Sequence, residues 1–503
     1  MSRGSSVWVD HSWLDQQFQN GLFNFADGAS IDRLLDSVCP LNRLPGLLLL
    51  LTQHIRLLCS KSHARKAWRE AVQAGVFPMI KMKVPTQLKG KFAIFQGTRN
   101  ITPLPTLIIG AGLGGICLAH ALKKRNIPFK LFERDEKGLA RDQGYRLRIT
   151  QHGIDALKES LAPDLFTLFE RTCAGAPTIG VRVKPDGSPI PAPSGFGPPA
   201  RAQAQAYTVD RSVFREALLR ELEGDVFFGK SFERYSLHDD RVTATFADGT
   251  CEDGHLLIGA DGVRSRVRKQ RLPAFEGLDT GMRIIYGKTP MTPEFTKRLA
   301  EEYRQGMSLA LDPQDPSQLC VLFESIYFPR AGEVASFKLP DPYMYWVLCI
   351  ERSRLGGVGR NGWHATPQDS MAVSLKLTQF WNSSLRVIFE MQDPTQSAMR
   401  TILSAPPEIK PWEPSRRVTL LGDAIHVMPP TGAMGANTAL RDAADLARRI
   451  AHVGGLGGVD GALIGNYEAS LREFAKSAIE LSFEGGRKSF GLGPVEQCKK
   501  ILL

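Results

Sequence analysis

The feature that most limits what this chain can fold into is a glycine turn, Gly110-Ala111-Gly112-Leu113-Gly114-Gly115, set directly behind the apolar run Thr106-Leu107-Ile108-Ile109. That run is too short and too apolar for a surface helix and reads as a buried strand. Residues 114–125 place Ile116, Leu118, Ala119, Ala121 and Leu122 on one helical face, and Pro128 opens a second strand, Phe129-Lys130-Leu131-Phe132-Glu133. Strand, turn, helix and strand make a β-α-β unit. In such a unit Gly110 permits the tight turn, Gly112 admits phosphate oxygens to the backbone, and Gly115 lets the helix lie on the strand. The helix start offers free N–H groups and the positive end of its dipole to an anion. Glu133, closing the second strand, suits the hydroxyls of an adenosine ribose better than a 2′-phosphate.

Two later segments narrow the choice of dinucleotide. Gly259-Ala260-Asp261-Gly262-Val263-Arg264-Ser265 follows the strand-like His255-Leu256-Leu257-Ile258. Gly422-Asp423-Ala424-Ile425-His426 follows Arg417-Val418-Thr419-Leu420-Leu421, and Gly435-Ala436-Asn437 opens the next helix. An aspartate at Asp423 can accept a hydrogen bond from a ribityl chain, and a helix start at Gly435 can stabilise negative charge on a reduced isoalloxazine. A nicotinamide dehydrogenase needs neither. Singly, Asp423 is a helix cap or turn residue and His426 a packed loop histidine. All three segments in this order favour FAD.

The expected fold class is α/β, a Rossmann-like FAD-binding domain with an interleaved β-rich substrate domain and C-terminal helices. The division expected is 1–103, an N-terminal extension of unknown role; 104–280, the first part of the FAD-binding domain; 281–410, the β-rich domain; and 411–503, its second part with the C-terminal helices. Strand-like runs at Arg283-Ile284-Ile285-Tyr286, Cys320-Val321-Leu322-Phe323 and Tyr345-Trp346-Val347-Leu348-Cys349-Ile350 supply the second sheet. Tyr286, Phe323 and Trp346 are read as core residues before pocket walls. Helices are predicted over 370–389, 438–450 and 465–484. The proline- and glycine-rich stretch 177–199 is predicted to be a loop, either a mobile surface insertion or a lid. The glycine cluster at 454–458 is a loop, since Asp460 breaks the fingerprint.

The net charge of +11 is concentrated, because residues 1–103 carry 13 Lys/Arg against 6 Asp/Glu. No basic, aromatic-interleaved module remains to bind nucleic acid. Eight cysteines lie far apart without a C-x-x-C pair or a histidine at zinc spacing, so a reduced, intracellular and cytoplasmic protein without metal is expected. No apolar run approaches the ~20 residues of a membrane span. Residues 44–68 carry the arginines and lysines of an amphipathic membrane-surface helix, although a packing extension is the favoured reading.

The three motifs, with Val427-Met428-Pro429-Pro430 after His426 and Thr438-Ala439-Leu440-Arg441-Asp442-Ala443 after Asn437, resemble the single-component FAD-dependent monooxygenases of the aromatic-hydroxylase type. They are most similar to the salicylate-hydroxylase-like branch of fungal secondary metabolism. The resemblance covers about 104–480. It implies non-covalent FAD held by Gly110, Gly112, Gly115, Glu133, Gly144, Arg148, Arg211, Asp261, Arg264, Asp423, Gly435, Ala436 and Asn437. Within that set it places Arg211 near the phosphates, Asp423 and Ala436 toward the ribityl chain and ring, and Gly144-Tyr145-Arg146-Leu147-Arg148 where flavin and active site meet. Asp261 and Arg264 would serve both FAD and a visiting NAD(P)H. The implied chemistry is hydroxylation or epoxidation of an aromatic, polyketide-like or other secondary metabolite with NAD(P)H and O2 through a flavin C4a-hydroperoxide. No catalytic base is assigned. Two departures stand out: about 100 residues precede the first strand, and Ala433-Met434 replaces the family's frequent Gly-Gln. An FAD-dependent isoprenoid reductase or dehydrogenase, and a non-catalytic nucleotide-fold binding protein, are the alternatives.

Overall fold

The strands expected at 104–110, 129–133, 255–258 and 417–421 form at Thr106–Ile109, Phe129–Phe132, Leu256–Gly259 and Val418–Leu420. The computed structural model describes residues 104–138, 145–175, 179–191, 206–315, 319–334, 337–355 and 365–503. The expectations placed on 1–103, including the helix at 44–68, and on Gly144 lie outside the described residues. Along the chain run β1 (Thr106–Ile109), α1 (Leu113–Lys123), β2 (Phe129–Phe132), β3 (Arg146–Ile149), α2 (Gln151–Ser160), α3 (Pro163–Arg171), β4 (Ile179–Val183), β5 (Tyr207–Asp210), α4 (Arg211–Leu219) and β6 (Val226–Phe227). Then come β7 (Phe232–Leu237), β8 (Val242–Phe246), β9 (Cys251–Gly254), β10 (Leu256–Gly259), α5 (Arg266–Arg271), β11 (Glu276–Pro290), α6 (Pro293–Arg298), β12 (Met307–Leu311), β13 (Cys320–Ile326) and β14 (Tyr343–Glu351). The last are α7 (Pro367–Leu377), α8 (Ser383–Glu390), β15 (Ala398–Ser404), β16 (Val418–Leu420), α9 (Asp423–His426), α10 (Met434–His452), α11 (Gly461–Phe490) and β17 (Lys499–Leu502).

The first sheet has the order β16-β10-β1-β2-β6, and all its pairs are parallel. Parallel strands are buried on both faces, which is why β1 and β10 are buried throughout. Helix α1 is buried from Leu113 to Leu122 because α10 and α2 cover the sides that the sheet does not. A helix with no wet face is an interior one.

The second sheet has the order β15-β11-β14-β13-β12-β4, with β17 added on β11. The side chains of β14 alternate strictly. Tyr343, Tyr345, Val347 and Cys349 of β14 join the core shared with the first sheet. Met344, Trp346, Leu348 and Ile350 pack with Leu385, Ile388 and Phe389 of α8 on the far side. Tyr286 therefore faces the first sheet, whereas Phe323 and Trp346 belong to the far core.

One expectation needs correction. The stretch 177–199 is not wholly a loop, because β4 pairs in parallel with β12. Its residues Ile179-Gly180-Val181-Arg182-Val183 end before Pro185, so the prolines that forbid a ladder lie outside it. The expected helix over 370–389 is two, α7 and α8, each with its own side-chain cap from Thr366 and Asn382.

Candidate functional site

Register in the parallel sheet aligns the ends of four strands. Ile109 lies opposite Phe132 on one side and Gly259 on the other, and Gly259 lies opposite Leu420. The residues that follow, Gly110, Glu133, Ala260-Asp261 and Leu421-Gly422-Asp423, therefore emerge in one row at the carboxyl edge. That edge is where open α/β sheets bind ligands.

Gly110 and Gly115 of the first turn answer distinct steric demands. Gly110 has φ +107°, and a Cβ there would stand 2.5 Å from the Ala260 carbonyl oxygen. A Cβ on Gly115 would stand 2.1 Å from the Gly110 oxygen, so helix and strand touch backbone to backbone. Gly112 differs, since nothing lies within 4 Å of its would-be Cβ. Gly112 is also the N-cap of α1, with no side-chain cap and no acid in the first turn. The free N–H groups of α1 therefore border open space of the kind a pyrophosphate needs.

Glu133 is 9% exposed and braces this turn, accepting from Ala111 N at 3.0 Å and from Asp135 N at 3.1 Å. Arg215 on α4 completes the brace by donating to the Ala111 carbonyl at 2.8 Å, with its Nη2 3.5 Å from the Glu133 carboxylate. Burial lowers its pKa, and Glu133 draws it back up. Sequence reading passed over Arg215, although a basic residue four positions beyond Arg211 on a helix was the available signal.

The Asp261 side chain is held by the turn that follows it. Its carboxylate accepts from Ser265 Oγ, from Arg266 N at 2.7 Å and from Val267 N at 3.3 Å, so it shapes the turn into α5. Burial raises its pKa, and those bonds oppose the rise. Arg264 is exposed, and burial followed by repulsion from Arg134 and Arg400 lowers its pKa. Arg268 is buried completely and joins the second motif to the third, donating to the Ala424 carbonyl at 2.7 Å and the Val263 carbonyl at 2.8 Å. Burial brings its pKa down to about 10. No local pattern distinguishes it from the other arginines of α5.

Asp423, the first residue of α9, keeps a solvent-exposed side chain beside densely packed protein. Enclosure raises its pKa, while His426 and Arg211 pull it down. Behind it His426 Nε2 and Asp442 Oδ2 meet at 2.6 Å, both side chains fully buried, and the same oxygen accepts from Gly422 N at 3.1 Å. Burial lowers the His426 pKa, but the Asp442 charge and hydrogen bond, with Asp423, more than offset it and the net shift is upward. The pair pins the one-turn α9 to α10.

Helix α10 starts one turn earlier than expected, at Met434, so Gly435 and Ala436 lie in its first turn without a side-chain cap or an acid. The Asn437 amide is fully engaged by backbone. Oδ1 accepts from Thr150 N at 2.9 Å, and Nδ2 donates to the carbonyls of Arg148, at 2.9 Å, and Ala433. Its work is to stitch α10 to the end of β3. Ala433 carries φ +57°, a left-handed value that an alanine adopts at a cost, at the position where the family frequently has glycine.

Arg148 turns toward the second sheet, where its Nη2 is 3.9 Å from Glu324, beside Arg146 at 2.7 Å. Burial first, then Arg146, brings its pKa down to about 10 against the pull of Glu324. Arg211 holds its guanidinium 5.6 Å from the Tyr145 ring, which stacks on Tyr286 at 4.2 Å. The arrangement thus collects Gly110, Gly112, Gly115, Glu133, Asp423, Arg211 and the uncapped starts of α1 and α10 around one edge. Arg148, Asp261 and Asn437 direct their side chains into the scaffold. Among the described residues no helix is long and apolar enough to cross a membrane.

An FAD binding domain family matches residues 408–482. A dual O-methyltransferase/FAD-dependent monooxygenase, elcB of Phaeosphaeria nodorum, is 39% identical over 437 residues, spanning 78% of this chain and 47% of that protein. The chain spans about half the length of the first curated relatives it matches. A crystal structure described as an FAD-containing monooxygenase from Photorhabdus luminescens is similar at TM-score 0.65 and 28% identity, covering 77% of this chain and 98% of that one. A salicylate hydroxylase substrate complex shares the fold at TM-score 0.58 and 20% identity, with 78% and 90% covered.

Proposed function

This chain belongs to the single-component FAD-dependent monooxygenases of the aromatic-hydroxylase type, and from that premise we propose that it uses FAD, NAD(P)H and O2 to oxygenate a small aromatic or polyketide-like secondary metabolite. The observation that carries the reading is the row of Gly110, Glu133, Ala260-Asp261 and Gly422-Asp423 at the carboxyl ends of adjacent parallel strands. When bound, FAD would take a hydride from the nicotinamide and activate O2 so that one oxygen atom reaches the substrate.

The residues divide the work. The start of α1, open at Gly112, receives the pyrophosphate, and Glu133, braced by Arg215, takes the adenosine ribose. Arg211 and Asp423 would meet FAD toward its ring, and the uncapped start of α10 would supply dipole stabilisation to negative charge there. Arg264, near Arg134 and Arg400, lies on the approach open to a visiting nicotinamide phosphate. Tyr286 and Tyr345 of the second sheet pack into the core shared with the first sheet and help to exclude water from it. An O-methyltransferase acts on hydroxyl groups, so the fused relatives fit a phenolic substrate or product. Availability of reduced nicotinamide and free thiols fits an intracellular setting.

The test is NAD(P)H oxidation by the FAD-loaded protein under ¹⁸O2, with and without candidate phenols and naphthols. Substrate-stimulated oxidation with one ¹⁸O atom in the product supports the reading. Anaerobic reduction of a substrate double bond would replace it with a reductase, and a protein that oxidises no nicotinamide with any candidate would replace it with a binding protein.

A further inference from the structure

Two contacts from the second sheet converge on Arg211. Asp210 ends β5, is 1% exposed, and caps α4 with one carboxylate oxygen, Oδ1 accepting from Ser212 N at 2.8 Å and Val213 N at 3.2 Å. The cap needs nothing more. Yet Oδ2 accepts from Lys288 Nζ at 2.7 Å and from the Tyr343 hydroxyl at 2.7 Å, donors on β11 and β14. Lys288 also sits 4.4 Å from the Tyr343 ring centroid. The second contact is the stack of Tyr145 on Tyr286, at 4.2 Å and 16°. Arg211 lies over the other partner of that stack and donates its backbone N–H to the Tyr145 carbonyl at 3.0 Å.

Tyr286 and Lys288 are two residues apart on β11 and so share a face. One strand therefore grips Arg211 twice, through its preceding residue and through the ring beneath its guanidinium. A buried ion pair is a poor source of net stability, because desolvation offsets most of the attraction. Its geometry is directional, however, and a carboxylate held by four partners cannot shift without breaking one of them.

We propose that Lys288 and Tyr343 are positioning residues that, by fixing Asp210, hold Arg211 at the cofactor edge, so that strand β11 of the second sheet sets the affinity of the first for FAD. The proposal rests on the reading that Arg211 meets FAD. It assigns β11 a part in cofactor retention in addition to its part in the core.

Full-length apoprotein is titrated with FAD for the wild type, Lys288→Met, Tyr343→Phe, Lys288→Arg, Arg211→Ala and the Lys288→Met/Arg211→Ala double variant, with apoprotein melting recorded for each. Lys288→Met is expected to weaken FAD about tenfold, and Lys288→Arg to recover most of the loss. Tyr343→Phe, which keeps the ion pair, should lose less in the same direction. The decisive result is the double variant, which should bind FAD no more weakly than Arg211→Ala alone. Losses that multiply in full would overturn the proposal, as would unchanged affinity in both Lys288→Met and Tyr343→Phe. If Lys288→Met does not fold, Tyr343→Phe and its double variant with Arg211→Ala make the same comparison. Failure of the wild type itself to take up FAD strikes the cofactor reading, and is told apart because it needs no variant.

Discussion

Gly112→Ala separates room for the protein from room for the cofactor. The backbone at Gly112 has φ −77° and ψ 178°, an extended conformation that alanine adopts freely. No heavy atom lies within 4 Å of the added Cβ. Two small effects bear on the folded chain: alanine is a poorer N-cap than glycine by several tenths of a kcal/mol, and it stabilises by about 0.4–1 kcal/mol through the unfolded state. They oppose each other, so the stability of the apoprotein should change by less than about 0.5 kcal/mol. The cofactor fares worse, because a Cβ here holds the pyrophosphate away from the N–H groups of α1. Losing two hydrogen bonds to a charged group costs about 3–4 kcal/mol, or roughly 10²–10³ in Kd. Urea unfolding of apoprotein and fluorescence titration with FAD measure the two quantities. Gly115→Ala is the contrast, since its Cβ would meet the Gly110 oxygen at 2.1 Å and should destabilise the apoprotein itself. Wild-type FAD affinity in Gly112→Ala would refute the placement of the phosphates, and an apoprotein weakened by 2 kcal/mol or more would refute the claim of open space.

Other perturbations follow from the same geometry. Ala433→Gly relieves a left-handed φ of +57° and should stabilise the protein by about 1 kcal/mol in urea unfolding; a loss of stability would contradict the strain. Arg268→Met removes two charge-assisted hydrogen bonds that join the second motif to the third, and should cost about 3–5 kcal/mol of stability together with FAD affinity. His426 has its pKa raised above 6.5 in the folded protein, so its stabilising contribution is complete below about pH 6.5 and is lost as pH rises through the higher folded value. Melting temperature followed from pH 6 to 9 should fall more steeply in the wild type than in His426→Gln, and parallel curves would refute the charge assignment.

The β-α-β unit and the ends of β10 and β16 were legible because backbone demands are written locally. A glycine where no Cβ fits, and an apolar strand before it, sit within a few residues of each other. Three strands of the second sheet, β11, β13 and β14, were legible in part, through their apolar and aromatic runs. What escaped was pairing over distance. Arg268 and Ala424 are 156 residues apart, and Lys288 and Asp210 are 78 apart, with nothing in either neighbourhood to announce the partner. Residue type does not announce backbone partners either. Asp261 and Asn437 carry the polar groups a cofactor site needs, but backbone N–H and C=O groups at a helix start and a strand end claim them first, since burying those unpaired would cost more. Strand β4 was hidden by the prolines that follow it, which forbid a ladder only at their own positions.

The central claim is that three distant stretches of backbone meet to hold one flavin. Its most direct measurement is the flavin content of the purified full-length chain, read from its visible absorption and from the nucleotide released on denaturation, before and after incubation with FAD. The account requires one FAD per chain, with binding lost in Gly112→Ala while the fold persists. A well-folded protein that stays colourless and takes up no FAD would contradict it.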